Sequence, residues 1–388
     1  MRKNLFLVVP LLDYGGQERF VATLSQILKN DFNIFIILFK KSEIGYDIDC
    51  ELRFLEDSRK TFWDNFGFSR FIKKCLKLRS LKKQYNPSAC ISFGVGANLV
   101  NILSKANNIK TMISLRSFLQ IETYKKFPHN IEILKADSII CVSEEIRQRM
   151  QIAFPAHKNK FLTVYNAYDT SKIKRITSTS HKENGEIRFI TLGRIHKSKG
   201  FHHLIKAFYL ALQNNDDISL HIFGSFQDET LTKQLVELCE SLHVTGKVFF
   251  EGNSSEPYLE LGKSDVYVLS SIIEGFPNSL VEAMACGLPV IADDCLSGPR
   301  EILNVDLDQK ISENMVTEYG VLTPRFTNET DMFDPTYITS EERAFADAIV
   351  MLAKDSEMRK NMGIAATNRA NDFSLGKCRE DFIGIINS

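Results

Sequence analysis

Short apolar runs alternate with amphipathic segments along the chain, and this alternation constrains the fold more than any other feature of the sequence. In the first half, the apolar runs lie at 5–12, 33–39, 88–93 and 138–142. In the second half, they lie at 187–192, 219–223, 248–250, 266–269 and 289–292. Such runs between helical patterns are typical of βαβ units, so the sequence predicts an α/β fold with parallel sheets.

A polar stretch at 165–186 interrupts this pattern near the middle of the chain. A chain of 388 residues is closer to two domains than to one. We therefore place a linker in this stretch and predict one domain over 1–170 and a similar one over 171–372. The segment 304–340 is polar and irregular, and we expect it to be rich in loops.

Charge is unevenly distributed, although the formal net charge is zero. Residues 1–170 contain 26 Lys and Arg against 16 Asp and Glu, whereas the remainder contains 22 against 32. The first half therefore favours an anionic partner such as a membrane surface, a lipid-linked phosphate or an acidic polymer, unless the asymmetry reflects solvation alone. Nucleic acid is not expected, because no basic motif is interleaved with aromatic residues.

Residues 70–83 contain seven basic side chains and no acid. Four apolar residues share one face of a helix drawn through this segment: Phe71, Cys75, Leu78 and Leu81. The pattern predicts a basic amphipathic helix suited to an anionic membrane surface. The alternative is a surface helix that packs on its own domain through that apolar face.

The cysteines and the hydropathy of the chain indicate the cellular compartment in which we expect the protein. The eight cysteines form no C-x-x-C pair, and several lie within apolar runs, so we expect reduced core thiols in a cytoplasmic protein. No run approaches the roughly 18 apolar residues that span a bilayer, so membrane association is expected to be peripheral, on the inner face of the cell membrane.

The most informative stretch runs from Glu274 to Val290 and reads as strand end, tight loop, helix, glycine and strand. Ser279 and Glu282 have the spacing of a capping box, and Gly287 suits the position after a helix. The helix is therefore expected to begin near Ser279, with its backbone N–H groups and positive dipole end facing the loop. Such an end can hold a phosphate.

Two carboxylates flank this helix start. Glu274 lies in the loop at the carboxyl end of a strand, where doubly wound sheets bind ligands, and Glu282 lies in the first turn. They can hold sugar hydroxyls on either side of a diphosphate. The alternatives are a solvated loop acid for Glu274 and a capping role alone for Glu282.

A basic loop, 193–200, follows another strand of the same half. Arg194 and Lys199 can neutralise a diphosphate and stabilise it as it leaves. A basic surface loop is the alternative. It is less favoured because both loops follow strand ends of one domain, where a single ligand could meet both.

These motifs resemble the retaining glycosyltransferases of family 4, which have the GT-B fold, and the resemblance covers nearly the whole chain. The segment E-G-F-P-N-S-L-V-E-A-M-A-C-G-L-P-V, which begins at Glu274, is similar to the family's E-x7-E signature. G-R-I-H-K-S-K-G at 193–200 resembles its donor loop. Gly15 and Gly16 resemble its N-terminal glycine turn, and N-A-Y-D from Asn166 resembles the end of its first domain.

The resemblance implies two Rossmann-like domains that face each other across a cleft. The N-terminal domain binds the acceptor, the C-terminal domain binds the donor, and a final helix at about 373–388 packs back on the first domain. It also implies catalysis with no metal ion or other cofactor and with retention of anomeric configuration. The nucleotide diphosphate departs and the acceptor hydroxyl attacks the same face of the sugar.

Family roles can be carried to the matching positions. The resemblance places Arg194 and Lys199 on the donor diphosphate, Glu282 on the ribose hydroxyls, and Glu274 on the transferred sugar. The implied donor-binding residues are Gly15, Gly16, Gly193, Arg194, Lys199, Gly224, Gly252, Glu274, Gly275, Phe276, Pro277, Asn278, Ser279, Leu280 and Glu282.

Arg116 marks a departure from the family pattern. Many members carry a catalytic-region His where this chain reads T-M-I-S-L-R-S, and Arg116 resembles the arginine of a subset. It joins Glu274, Arg194 and Lys199 as a candidate catalytic residue, as a cation beside the diphosphate. The segment 297–303 resembles a version seen in bacterial polysaccharide and lipid-linked oligosaccharide transferases, often with UDP-galactose-type or UDP-N-acetylhexosamine donors.

We therefore expect transfer of a hexose or N-acetylhexosamine from a UDP-sugar to a glycan or lipid-linked acceptor, in cell-surface polysaccharide or lipopolysaccharide synthesis. The alternatives are a UDP-N-acetylglucosamine 2-epimerase of the same fold and a non-catalytic nucleotide-sugar-binding partner. An NAD-dependent enzyme is disfavoured, because Gly15-Gly16 lacks the third glycine of G-x-G-x-x-G and the strand ending at Phe39 has no ribose-binding acid.

Overall fold

The computed structural model describes residues 2–13, 15–41, 43–56, 67–179, 185–327 and 332–388. The chain divides into two compact units, one of Met1–Ala167 with Leu375–Ser388 and one of Tyr168–Ser374. Each unit is built on its own sheet, and the two sheets confirm the predicted α/β class.

The first unit contains a seven-stranded parallel sheet of order β3-β2-β1-β4-β5-β6-β7. Its strands are β1 (Lys3–Val9), β2 (Phe32–Leu38), β3 (Glu51–Phe54), β4 (Ala89–Phe93), β5 (Lys110–Leu115), β6 (Ser138–Cys141) and β7 (Phe161–Thr163). Its helices are α1 (Gly16–Leu28), α2 (Gly67–Tyr85), α3 (Val95–Leu103), α4 (Gln120–Tyr124), α5 (Asn130–Lys135), α6 (Glu144–Ala153) and the final helix of the chain, α15 (Leu375–Asn387). The central strands are continuous apolar runs because helices cover both faces of the sheet.

The final helix, α15, packs within this first unit. Cys378, Phe382 and Ile386 join the same apolar core as the residues of β1 and α1. The Arg379 guanidinium forms a two-pronged ion pair with Asp31, with nitrogen to oxygen distances of 2.6 and 2.9 Å. Helix α15 therefore belongs to the first unit, although β1 and α1 lie at the opposite end of the chain.

Helix α2 buries the apolar face that the sequence pattern predicted for membrane contact. Leu78 and Leu81 lie in the core beneath the sheet, and Phe71 and Cys75 pack against it. The packing alternative is therefore correct for this face. Lys82 is also buried, with its ammonium group donating to the backbone and side-chain oxygens of Asn101 and to Ser104 Oγ.

The second unit contains a sheet of order β10-β9-β8-β11-β12-β14-β13, parallel except for β13. Its strands are β8 (Ile187–Leu192), β9 (Ile218–Phe223), β10 (Val248–Gly252), β11 (Val266–Leu269), β12 (Val290–Asp293), β13 (Met315–Val316) and β14 (Gly320–Thr323). Its helices are α7 (Thr170–Thr177), α8 (Phe201–Leu212), α9 (Glu229–Ser241), α10 (Pro257–Gly262), α11 (Asn278–Ala285), α12 (Pro299–Ile302), α13 (Ser340–Lys354) and α14 (Ser356–Ala370).

The segment predicted as a linker is partly helical. Asp169 accepts a hydrogen bond from the Lys172 amide at 2.9 Å and caps α7, which occupies the middle of the polar stretch. The second unit begins at Tyr168 because this residue forms a β-bridge with Ser374, and its amide donates to the Phe373 carbonyl. Residues 180–184 of the predicted linker lie outside the described residues.

Within the described part of the expected loop region 304–340 lies a buried strand. β14 pairs in parallel with β12 through four registered residues, and all four of its residues are buried. The strand is too short to produce a periodic signal, which is why the sequence did not reveal it.

No described helix combines the length and the hydropathy that crossing a bilayer requires. None of the eight cysteines, all of which the structure describes, forms a disulfide: Cys50, Cys75, Cys90, Cys141, Cys239, Cys286, Cys295 and Cys378.

Candidate functional site

The candidate site lies where the chain order reverses in the second sheet. β8 and β11 are neighbours, yet the chain leaves β8 towards β9 and leaves β11 towards β12, on opposite sides. Two loops therefore diverge from the carboxyl ends of adjacent strands and leave a crevice between them, the usual ligand position in open α/β sheets. The loops are 193–200 and 270–277, the two that the sequence singled out.

Glycines allow the strand ends to approach this closely. A Cβ on Gly200, whose φ is +61°, would lie 2.1 Å from the Ser270 carbonyl oxygen. A Cβ on Gly224 would lie 1.8 Å from the carbonyl oxygen of Gly193. A larger residue at 200 would separate the two loops, and one at 224 would displace the 193–200 loop from the turn after β9, so both glycines shape the crevice.

The two loops are joined by an ion pair. Lys199 Nζ lies 2.6 Å from Glu274 Oε1, and both side chains are largely shielded from solvent. Ser270 Oγ donates to the Lys199 carbonyl at 2.8 Å, which fixes the backbone beneath the ammonium group. The two residues that the sequence assigned to different parts of a donor thus meet in one place.

A third loop, after β12, supports the Glu274 loop. The Glu274 amide donates to the Leu296 carbonyl at 2.5 Å, and Ser297 Oγ donates to the Gly275 carbonyl at 2.8 Å. Arg300 stabilises this third loop through a two-pronged ion pair with Asp294 at 2.6 and 2.7 Å. The glutamate loop is therefore held on both sides.

Helix α11 begins at Asn278, not at Ser279, and the predicted capping box is absent. Its N-cap is Pro277, and no side chain of the described residues caps it. Ser279 Oγ accepts a hydrogen bond from Tyr267, and Glu282 Oε1 accepts one from Tyr258. The prediction was wrong because the helix begins one residue earlier than expected, so Ser279 is not its N-cap and Glu282 does not lie three residues after the cap.

The side chains of two predicted site residues are buried. The Leu280 side chain is fully buried, and its amide donates to the Pro277 carbonyl at 3.2 Å. The Phe276 ring is buried and packs edge-on against Phe373, with ring centroids 5.3 Å apart. Phe276 therefore anchors the loop through its buried ring, and neither side chain is available to a ligand in the crevice.

Arg194 is exposed and does not join the Lys199–Glu274 pair. It lines a cavity of 480 Å³ together with His196 and with Asp228, which caps α9. It forms no ion pair with any residue that the structure describes. Its guanidinium is therefore available at the same sheet edge for a group that carries negative charge.

The other predicted glycines follow the next strand ends of this sheet. The Gly193 amide donates to the Phe223 carbonyl and the Gly224 amide to the Gly252 carbonyl, each at 2.8 Å. These bonds place the turns after β8, β9 and β10 side by side. The row of turns continues the crevice away from Glu274.

Three predicted residues lie in the first unit. Gly15 precedes α1, and its backbone exchanges two hydrogen bonds with the Tyr46 hydroxyl, while Gly16 is the first residue of that helix. The Arg116 guanidinium bonds the Asn166 side-chain oxygen and lies 3.9 Å from the centre of the Phe20 ring. Arg116 is thus held by neighbours within its own unit.

Sequence comparison finds transferases. Residues 173–310 match the model of the family described as glycosyl transferases group 1. A Campylobacter jejuni N-acetylgalactosamine-N,N'-diacetylbacillosaminyl-diphospho-undecaprenol 4-alpha-N-acetylgalactosaminyltransferase is 28% identical, and the match covers 98% of both chains. The lipopolysaccharide 1,6-galactosyltransferase of Escherichia coli is 26% identical over 62% of this chain and 66% of its own.

Structural comparison extends the likeness to the whole fold. The Anabaena protein HepE, solved in complex with UDP and glucose, superposes with a TM-score of 0.75 at 16% identity and covers 100% of both chains. At that identity the likeness concerns the fold. Together, the family match and the transferase relatives support the assignment of this chain as a glycosyltransferase with two Rossmann-like domains, and they do not favour an epimerase or a non-catalytic partner.

Proposed function

We propose that the protein is a retaining glycosyltransferase of family 4 that transfers a hexose or N-acetylhexosamine from a UDP-sugar to a glycan or lipid-linked acceptor. The observation that carries the proposal is the Lys199–Glu274 ion pair at 2.6 Å, which lies between diverging loops and beside the start of α11. A diphosphate needs cations and amide donors, and a sugar needs a carboxylate. These groups occur together at the crevice.

The donor assignment places each group against one part of a UDP-sugar. Lys199 and Arg194 neutralise the diphosphate, aided by the positive dipole end of α11. Glu282 accepts from the ribose hydroxyls, and Glu274 accepts from hydroxyls of the transferred sugar. The binding energy thus holds the bond between the anomeric carbon and the diphosphate oxygen next to the cations.

The reaction follows from this placement. The anomeric carbon–oxygen bond breaks, and its electron pair leaves with UDP, whose added charge the cations stabilise. The acceptor hydroxyl attacks the same face, and its proton passes to the departing diphosphate. The protein's own cations stabilise the leaving group, so we propose that no metal ion is required.

The class of sugar and acceptor is inferred from the relatives. One is named for transfer of N-acetylgalactosamine to a diphospho-undecaprenol-linked sugar and another for transfer of galactose to lipopolysaccharide. HepE was solved with UDP. We therefore favour a UDP-linked galactose-type or N-acetylhexosamine donor and a role in cell-surface polysaccharide synthesis.

We propose that the first unit receives the acceptor at an anionic membrane surface on the cytoplasmic side. Helix α2 supports this through a face that the sequence pattern did not indicate. Phe68, Ile72 and Leu76 recur every four residues and are 75%, 41% and 63% exposed. Five basic residues of the same helix are also exposed: Arg70, Lys73, Lys77, Arg79 and Lys83. An exposed apolar row among basic groups suits an anionic bilayer, each cation near it contributing about 1 kcal/mol.

The proposal is tested by incubating the full-length protein in EDTA with UDP-, GDP- and ADP-sugars and anionic vesicles that carry a lipid-linked acceptor. We expect release of UDP from one UDP-sugar and an α-linked product from an α-linked donor. Formation of an epimerised UDP-sugar without acceptor would instead identify an epimerase. Binding of UDP without turnover of any donor, even with Mg²⁺ restored, would identify a non-catalytic partner.

A further inference from the structure

Three tyrosine hydroxyls converge on the beginning of α11. Tyr168 donates to Asn278 Oδ1 at 2.6 Å, and Tyr267 donates to Ser279 Oγ at 2.7 Å. Tyr258 donates to Glu282 Oε1 at 3.1 Å. The three tyrosines come from different elements of the second unit: the segment before α7, strand β11 and helix α10.

Tyr168 and Tyr267 bind first-turn side chains that could otherwise bond the backbone of the helix, whereas Tyr258 binds Glu282 one turn later. Asn and Ser side chains can accept from neighbouring backbone amides, so Asn278 and Ser279 could otherwise compete with a ligand for the amides of the first turn. Here their oxygens accept from tyrosines, and no side chain of the described residues caps the helix at Pro277. The positive end of α11 is therefore maintained without an internal cap, as an anion-binding helix start requires.

Burial restricts the contacts of Tyr168 and Tyr267 most strongly, because Tyr258 is only half-buried. Tyr267 is fully buried, Tyr168 is nearly so, and Glu282 is also buried. Burial raises the pKa of the Tyr267 hydroxyl, so it remains a protonated donor. An aromatic ring on a packed element has few alternative rotamers, so its hydroxyl fixes the acceptor in one place.

We infer that Tyr168, Tyr258 and Tyr267 are positioning residues for the donor, each serving a different part of it. Tyr258 orients the Glu282 carboxylate towards the ribose hydroxyls. Tyr267 holds Ser279 away from the first-turn amides, which then face the diphosphate. Tyr168 orients Asn278 beside the transferred sugar. The inference rests on the proposed donor site and assigns a role in donor binding to residues outside the two donor motifs at 193–200 and 274–290.

The test replaces each tyrosine by phenylalanine, which removes only the hydroxyl. Binding of uridine, UDP and 2′,3′-dideoxy-UDP is measured by calorimetry, and donor kinetics are measured in parallel. Tyr258→Phe should weaken UDP binding about fivefold and leave dideoxy-UDP binding unchanged, because the analogue lacks the hydroxyls that Glu282 meets. Tyr209→Phe, a half-buried tyrosine of α8, is the matched control and should bind as the wild type does.

The other two variants should lose affinity elsewhere in the donor. Tyr267→Phe should weaken UDP and dideoxy-UDP about equally and leave uridine unchanged, because only the diphosphate meets the helix amides. Adding Ser279→Ala to it should restore UDP affinity by removing the released hydroxyl. Tyr168→Phe should leave UDP binding unchanged and raise KM or lower kcat for the intact donor.

The inference would be overturned if a variant lost affinity equally for all three ligands, or if its loss of affinity merely followed a fall in Tm. Either result would show that the tyrosine has only a structural role. Variants that match the wild type would also overturn it while leaving the proposed function intact. If the wild-type protein binds no UDP, the proposed function itself fails, and this inference with it.

Discussion

Lys199 and Glu274 are in contact, yet we expect their removal to affect different steps. Lys199→Ala should weaken binding of the UDP-sugar by roughly ten- to a hundredfold, the range of a hydrogen bond to a charged group. Glu282→Ala should also weaken binding. Glu274→Ala should mainly lower kcat, because it meets the sugar that changes in the transition state. Steady-state kinetics and calorimetry with the donor measure both effects.

Lys197→Ala is the control for charge, because Lys197 is an exposed lysine of the same loop. It should change neither donor affinity nor kcat appreciably. Lys199→Arg separates charge from shape and should retain part of the affinity. Wild-type activity in folded Lys199→Ala and Glu274→Ala proteins would contradict the site assignment.

A buried carboxyl in the first unit should make stability depend on pH. Glu132 is fully buried, and burial raises its pKa to about 8. Its Oε1 lies 2.6 Å from His129 Nδ1, whose own pKa burial lowers, so a neutral carboxyl faces a neutral imidazole. The folded state thus retains a proton that the unfolded state has released, and stability falls as the pH rises towards 8.

Between pH 6.5 and 8, where the unfolded histidine is already neutral, the pair should lower the free energy of unfolding by roughly 1.4 kcal/mol per pH unit. Glu132→Gln, which cannot ionise, should remove this slope. Urea unfolding of both proteins across this range measures it. Equal slopes for the two proteins would show that Glu132 is ionised in the fold.

At the level of single residues, the sequence predicts candidate site residues that directly follow a strand in the chain. Glu274 and Lys199 could be predicted because each lies in a loop directly after an apolar run. Tyr168 and Tyr258 could not be predicted, because only the tertiary fold brings them to α11. Neither lies at a sequence distance from α11 that a motif would fix. Ser279 shows the same limit. Its motif predicted that it caps the helix, but its hydroxyl accepts a hydrogen bond from Tyr267 of β11.

Among the elements, α2 shows how periodicity can indicate a helix and leave its surroundings undetermined. The basic segment is helical, but the apolar face chosen from the sequence is the one that the sheet buries. Phe68, Ile72 and Leu76 form a second row at a four-residue spacing, so the sequence contains two apolar rows on one helix. A helix with two apolar rows needs tertiary packing to show which one remains exposed.

This exposed row gives a prediction for the helix as a whole. Replacing Phe68, Ile72 and Leu76 together by Ser should lower binding to vesicles rich in anionic lipid by about tenfold or more, since each loses apolar area available for burial. Co-sedimentation measures the effect. The control is Ile364→Ser, which alters an exposed isoleucine of α14 in the second unit and should leave vesicle binding unchanged. Equal vesicle binding by the triple variant and the wild type would exclude this face.

For the whole molecule, the tandem α/β organisation followed from the repeated order of apolar runs and helical patterns, which is typical of parallel sheets with helices on both faces. The reversal of strand order at β8 and β11 could not be read from the runs, because it depends on which strands pair. Strand β14 was also missed, since its apolar residues form so short a run. The strand pairing, once known, explains why two loops far apart in sequence form one crevice.

The central claim is that a UDP-sugar binds at the carboxyl ends of β8 and β11. Hydrogen–deuterium exchange of the full-length protein, with and without UDP in EDTA, tests this claim most directly. We predict slower exchange in peptides covering 193–200 and 270–282, where loop amides and the start of α11 meet the diphosphate. Protection confined to other segments, under conditions in which UDP is shown to bind, would contradict the account.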